Sequence, residues 1–260
     1  MEASQNFLNN LVALRDFEAG SGWQATIRAL VRQKYRQDLE GLVRLHPPTL
    51  ARLLKGEILP DRPYATIQWV LRLIPFRPLE LYLFYDLDPE FGVDLRVFYA
   101  RKSLVVPTED AYVFAWDYVA LLARYARGAY ALEDAAPAPV WAPLSDLIEG
   151  ADQGADYSLG PREELLRLIT PEVAEVALRR LDCGSFALRG PAWEIVWPVL
   201  GDLSLRLATS PDAVRLSVDR HGARKYAPEF LMSFSWLYVN ALLRESRQVN
   251  PSLPRLSRYL

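Results

Sequence analysis

The sequence predicts an α+β fold: an all-α unit over the first third of the chain, then an α+β region carrying a duplicated β-hairpin-plus-helix module. Three observations carry this. Apolar residues recur at helical spacing up to about residue 89, the period shifts to two from Phe91, and a strand-turn-helix pattern recurs about 120 residues further on. The 260 residues are 51% apolar and 24% charged, ordinary usage for one large or two modest globular domains. The formal charge of −2 excludes a uniformly polybasic molecule, so any anionic partner must meet a local patch. One cysteine, Cys183, excludes internal disulfides and a cysteine-rich zinc site and fits a reducing compartment. The first residues lack the basic and apolar regions of a secretory leader, and no uncharged apolar run approaches a membrane span. A cytoplasmic, soluble protein without a membrane partner is the expectation.

Five stretches follow from composition: a helical unit 1–89, a first hairpin-helix repeat 90–127, an acidic linker 128–161, an α+β region 162–246 with the second repeat, and a basic tail 247–260. In the first, Phe7, Leu8, Leu11 and Val12, then Trp23, Ile27, Leu30, Val31 and Tyr35, follow helical spacing. Short helices are also expected around Leu39–Val43, over Pro48–Lys55 with Gly56 as C-cap, over Tyr64–Ile74, and from Pro78 to Phe84. In the second, Val93, Leu95 and Val97 alternate as a strand, Leu104–Val106 gives a partner after the Arg101-Lys102 turn, and Thr108 opens a helix.

Residues 128–161 hold 16 Ala, Gly or Pro and six acids with no Lys or Arg, which reads as a long excursion. Trp141, Leu144, Leu147 and Ile148 could tack it onto a neighbouring surface. Pro161–Leu181 reads as two helices, the second N-capped by Thr170 with Pro171 at its first position, and strands are expected at Ser185–Leu188, Glu194–Val199 and Leu203–Leu207. Near the end, Val214, Leu216 and Val218 alternate, a basic turn follows, and Pro228-Glu229 opens a helix. Set against one another at an offset of 120, residues 109–124 share seven of sixteen identities, Trp116/Trp236 and Phe114/Phe234 among them. Both helices are apolar nearly all round, which predicts burial on every side, centrally or in a homo-oligomer interface.

The stretch from Gln37 to Gly56 resembles the helix-turn-helix of the lambda-repressor-like DNA-binding family. Leu39 and Val43 match the supporting helix, Leu45 the turn, and Leu50 and Leu53 the recognition helix. The likeness extends over residues 22–89, and residues 21–56 carry seven Lys/Arg against Asp38 and Glu40, the local positive charge that phosphate contact requires. The resemblance implies a transcriptional regulator with a C-terminal region for dimerisation or effector sensing. It places Lys34, Arg36, Arg44, His46, Thr49, Arg52 and Lys55 at the DNA interface, with Arg52 reaching a guanine edge and Lys55 a phosphate. Glu40, where the family has a small residue, must then point away from the helix contact. The other reading is a non-enzymatic adaptor that uses the same motif for protein contacts.

Catalytic chemistry finds little support. Nothing around Cys183 marks a nucleophile for a dyad with His221, and no Gly-x-Ser-x-Gly, phosphate-binding glycine loop or His-Glu-x-x-His occurs. Asp86, Asp88 and Glu90 lack the spacing of a calcium loop and read as a solvated turn. No catalytic residue, metal or cofactor is expected.

Overall fold

The computed structural model describes residues 7–60, 62–130, 138–148, 159–210 and 212–256. The chain is α+β and divides into two compact units, Met1–Leu132 and Glu133–Leu260. The boundary expected at residue 89 falls inside the first unit, because the strands on either side of it are hydrogen-bonded partners along their length.

In the first unit the helices are α1 (Ser21–Ala29), continued by a π-helical turn over Leu30–Lys34, then α2 (Arg36–Glu40) and α3 (Pro47–Leu54). The sheet contains β1 (Leu11–Val12), β2 (Glu57–Ile58), β3 (Ile67–Phe76), β4 (Leu79–Asp88) and β5 (Gly92–Ala100) in the antiparallel order β1-β5-β4-β3-β2, and α4 (Thr108–Ala126) closes the unit. The helices expected at Tyr64–Ile74 and Pro78–Phe84 are therefore β3 and β4. Both faces of these central strands are buried, so apolar residues occur at almost every position, and a continuous apolar run contains a helical spacing by accident. Phe7–Val12 yields only one turn and β1, and of Leu104–Val106, expected as a strand, Leu104 and Val105 end a 3-10 turn over Arg101–Val105 that Val106 follows.

One face of this sheet carries Trp69, Leu83, Tyr85 and Tyr99 toward the helices. Tyr85 donates its hydroxyl to the Leu39 carbonyl, Tyr99 to that of Ala111, and Phe76 meets Phe114 edge-on at 5.6 Å. The other face carries Ile67, Val70, Tyr82 and Phe84 under Phe7, Leu8, Leu11 and Leu59. Glu80 lies on that face, 3% exposed, and binds Arg72 at 2.6 Å, Lys102 at 2.5 Å and the Tyr82 hydroxyl.

The second unit contains β6 (Trp141–Pro143), α5 (Leu144–Ile148), α6 (Pro161–Arg167), α7 (Pro171–Leu181), β7 (Ser185–Arg189), β8 (Ala192–Leu200), β9 (Leu203–Thr209), β10 (Val214–Asp219), α8 (Arg220–Ala223) and α9 (Pro228–Val249). Its antiparallel order, β6-β10-β9-β8-β7, matches that of the first unit strand for strand. The equivalence goes further than the expected hairpin and helix. In both units a helix ends on a left-handed residue, Lys55 after α3 and Asp182 after α7, and turns directly into the edge strand. The helix end expected at Gly56 thus falls on Lys55, and Gly56 serves a different need. A Cβ there would lie 2.7 Å from the Arg72 carbonyl oxygen, so only glycine lets α3 approach β3 this closely.

The excursion after Gly128 has β6 and α5 at Trp141–Ile148, where apolar residues were expected to anchor it, and Leu144 is buried. Residues 131–137 and 149–158 lie outside the described residues. The basic tail is helical to Val249, after which Arg247 donates to the Leu253 carbonyl and Leu256 is buried. Residues 257–260, with Arg258, lie outside the described residues. The repeat helices α4 and α9 are not buried on every side. Each leaves a half-buried stripe that includes Trp116 or Trp236, and a cation covers each indole: Lys34 Nζ at 5.6 Å and the Arg162 guanidinium at 5.3 Å.

Candidate nucleic-acid interface

Over residues 36–54 the chain forms α2, a 3-10 turn (Gly41–Arg44) and α3; the helix expected around Leu39–Val43 ends at Glu40, and Val43, expected on the supporting helix, lies in the 3-10 turn and is 59% exposed. Pro47 and Pro48 occupy the first positions of α3, where a missing N–H costs nothing and the fixed φ suits the helix. Leu50, Leu53 and Leu54 are fully buried, while Arg52 and Lys55 are exposed, so the apolar and basic faces separate as the spacing requires. Arg44 and His46 are exposed, Thr49 is half-buried, and Glu40 points to solvent.

The two helices have different supports. α2 rests on α4 and β5, with Gly41 at the closest approach to α4, whereas α3 rests on β2 and β3. Two further predicted residues lie apart from α3. Lys34 sits over the rings of Tyr35 and Trp116, and Arg36 faces the start of β5.

Arg36 belongs to a second constellation. β1 pairs with β5 only at Tyr99 and Ala100, so among the described residues no strand pairs with the outer edge of Gly92–Phe98. Adjoining grooves of about 480 and 430 Å³ run along this edge. Side chains of a strand alternate between faces, so the consecutive residues Asp94 to Phe98 of the first groove and Phe91 to Asp94 of the second line them by presenting the strand edge. The opposite wall has Arg28 on α1, Arg32 on its π-helical continuation and Arg36 at the start of α2, at intervals of four in sequence, with Arg15 beside them. Arg32 reaches Asp94 at 3.4 Å, and Arg96 holds both Asp94 and the buried Asp86. Arg28 and Arg36 are exposed and have no acidic partner among the described residues. The four-residue interval was a sequence signal for this wall, but Arg15, Arg96 and the open strand edge come from elsewhere in the chain.

No protein-family model matches the chain, and neither a curated protein nor a solved structure does so. Among the described residues no group of three His, Cys, Asp or Glu side chains could hold a metal ion, and no helix is long and apolar enough to cross a membrane. Cys183 is half-buried between α7 and β7, and His221 is exposed on α8, its backbone N–H capped by Asp219. Asp88 turns its carboxylate back onto the N–H groups of Glu90 and Phe91 and closes the β4–β5 turn.

Proposed function

We propose that the protein is a non-enzymatic adaptor whose N-terminal unit takes up an extended acidic segment of a partner protein as an added strand on β5. The supporting observation is the open edge of Gly92–Phe98 facing a wall of arginines. An added strand gains main-chain hydrogen bonds from the edge, and its side-chain carboxylates meet Arg28 and Arg36, which lack acids of their own. The probe is a fluorescently labelled peptide of alternating glutamate and valine, titrated by polarisation at two salt concentrations. Binding is expected to weaken with salt and to be lost in Arg28→Glu/Arg36→Glu. Equal affinity for a control peptide of alternating lysine and valine, or an unchanged affinity in the double variant, would overturn the reading.

A second reading, a DNA-binding regulator of transcription, is favoured by the exposure of Arg52 and Lys55 on the polar face of α3. In mobility-shift titrations Arg52→Ala should then cost about 1–3 kcal/mol and relax specificity at one base pair, and Lys55→Ala should lower the salt slope by about one. A folded double variant that binds every DNA as wild type does would remove α3 from that account.

A further inference from the structure

The second sheet ends at β7, and that edge is open. Of its five residues Ser185, Ala187, Leu188 and Arg189 are exposed, and no strand pairs beyond it among the described residues. Natural proteins blunt such edges by shortening them or by adding proline or lysine. The first unit does so: the equivalent strand β2 has two residues, and Pro60 and Pro63 follow. β7 is longer, five residues with neither proline nor lysine among them, and its nearest proline, Pro191, lies in the turn to β8.

The register fixes which groups it offers. Arg189 pairs with Ala192 across the two-residue turn Gly190-Pro191, so this is a hydrogen-bonded pair. Ser185, Ala187 and Arg189 therefore direct N–H and C=O toward β8, and Phe186 and Leu188 direct theirs outward. On the apolar face Phe186 stacks on Trp193 at 6.5 Å, and Leu188, opposite Trp193 in register, is 59% exposed. The Trp193 indole donates to the Ile169 carbonyl at 3.3 Å.

We propose that β7 pairs antiparallel with β7 of a second copy of this chain, about a twofold axis at Ala187. The strand is self-complementary in this register. Phe186 and the partner's Leu188 exchange both main-chain hydrogen bonds, as do Leu188 and the partner's Phe186, and the two alanines form the central non-hydrogen-bonded pair. Arg189 falls opposite Ser185, so no like charges meet, and the exposed Leu188 of each copy is covered by the partner's Phe186. One pair of short strands buries less than the ~1,200 Å² of a stable interface, so the dimer is weak and reversible. This inference is independent of the β5 groove.

Sedimentation equilibrium from micromolar to submillimolar concentration tests it. The mass of wild type is expected to rise from 29.6 kDa toward twice that value, and Leu188→Glu, at an exposed position, should stay monomeric with an unchanged circular dichroism spectrum. Independently, Ala187→Cys should oxidise to a dimer linked through residue 187, because a non-hydrogen-bonded pair sets its Cα atoms about 4.5 Å apart, within disulfide reach. Wild type, with Cys183 alone, is the control. A monomer at every concentration would overturn the proposal, and so would a dimer that Leu188→Glu leaves intact and Ala187→Cys does not trap.

Discussion

The two units have one strand order and differ in what lies on the outer face of the sheet and along its edges. In the first, Phe7, Leu8, Leu11 and Leu59 cover the outer face, and beneath it Glu80 gathers Arg72, Lys102 and Tyr82. In the second, the corresponding face carries Glu194, Val196, Arg206 and Ala208, each half-buried, with Arg206 bound to Glu194 at 2.5 Å and lying over Trp141. Among the described residues β5 lacks an outer partner over Gly92–Phe98 and its counterpart β10 only over Val214–Leu216, whereas the terminal strand β7 has five residues against two in its counterpart β2. The inner face, packed on α4 or α9, is thus the shared element that specifies the fold, whereas outer face and edges are where the two copies have diverged.

The largest expected effect tests the shared element. Phe114 and Phe234 stand at equivalent positions and are both fully buried. Phe114→Ala and Phe234→Ala should each cost about 3–5 kcal/mol, the range for deleting a buried aromatic ring. Urea unfolding gives the size of each loss, and hydrogen exchange should place it in the sheet that the ring packs against. A loss below about 1 kcal/mol at either position would break the equivalence.

How much of this was readable from sequence depends on what each residue faces. β7 to β10 were legible because alternate residues meet solvent or half-buried ground, as in Leu203, Leu205 and Leu207 against Ser204, Arg206 and Ala208. β3 and β4 were not, because the N-terminal segment buries their second face and removes the alternation. Thr170 and Pro171 marked the start of α7 correctly, and Thr170 accepts the Val173 N–H. The shared backbone turn at Lys55 and Asp182 left no signal, since neither residue type favours a left-handed conformation as glycine does. On the candidate interface, spacing alone separated Arg52 and Lys55 from Leu50, Leu53 and Leu54. The groove along β5 was out of reach because it exists only where β1 stops short.

The intermediate effect tests the outer faces. Burial by itself would raise the Glu80 pKa, but hydrogen bonds from Lys102, Tyr82 and Arg72 outweigh it and hold the carboxyl below its ordinary value of 4.5. A carboxylate with a depressed folded pKa contributes stability that is fully present above the ordinary value and is lost as pH falls through the folded one. Glu80→Gln should therefore flatten the acid side of the stability profile of the first unit, measured by urea unfolding in steps below neutrality. Glu80→Ala should cost about 1–3 kcal/mol, as Arg72 and Lys102 lose a buried acceptor yet keep part of their hydration. Glu194→Ala should cost less, because Glu194 is more exposed and bonds chiefly to Arg206. Equal losses would erase the distinction between the two outer faces.

The smallest effect returns to the one device both repeats retain on the outside of the long helix, a cation over the equivalent tryptophans. Lys34 over Trp116 is exposed and also spans Tyr35, so Lys34→Ala should cost about 0.5–1 kcal/mol, the range for such a contact near solvent. Arg162 over Trp236 does more, since its Nε donates to Asn240 Oδ1 at 2.7 Å, and Asn240 is buried. Ala120 occupies the position of Asn240 in the first repeat, so Lys34 has no such duty. Arg162→Ala should accordingly cost about 1–2 kcal/mol, as the ring contact and the hydrogen bond go together. Arg162→Lys keeps the cation but loses the guanidinium geometry, and should fall between wild type and Arg162→Ala. Urea midpoints at constant m-value read all three. If Arg162→Ala costs no more than Lys34→Ala, the Asn240 bond contributes nothing net, and the two tryptophan contacts are energetically alike despite the divergence at Ala120 and Asn240.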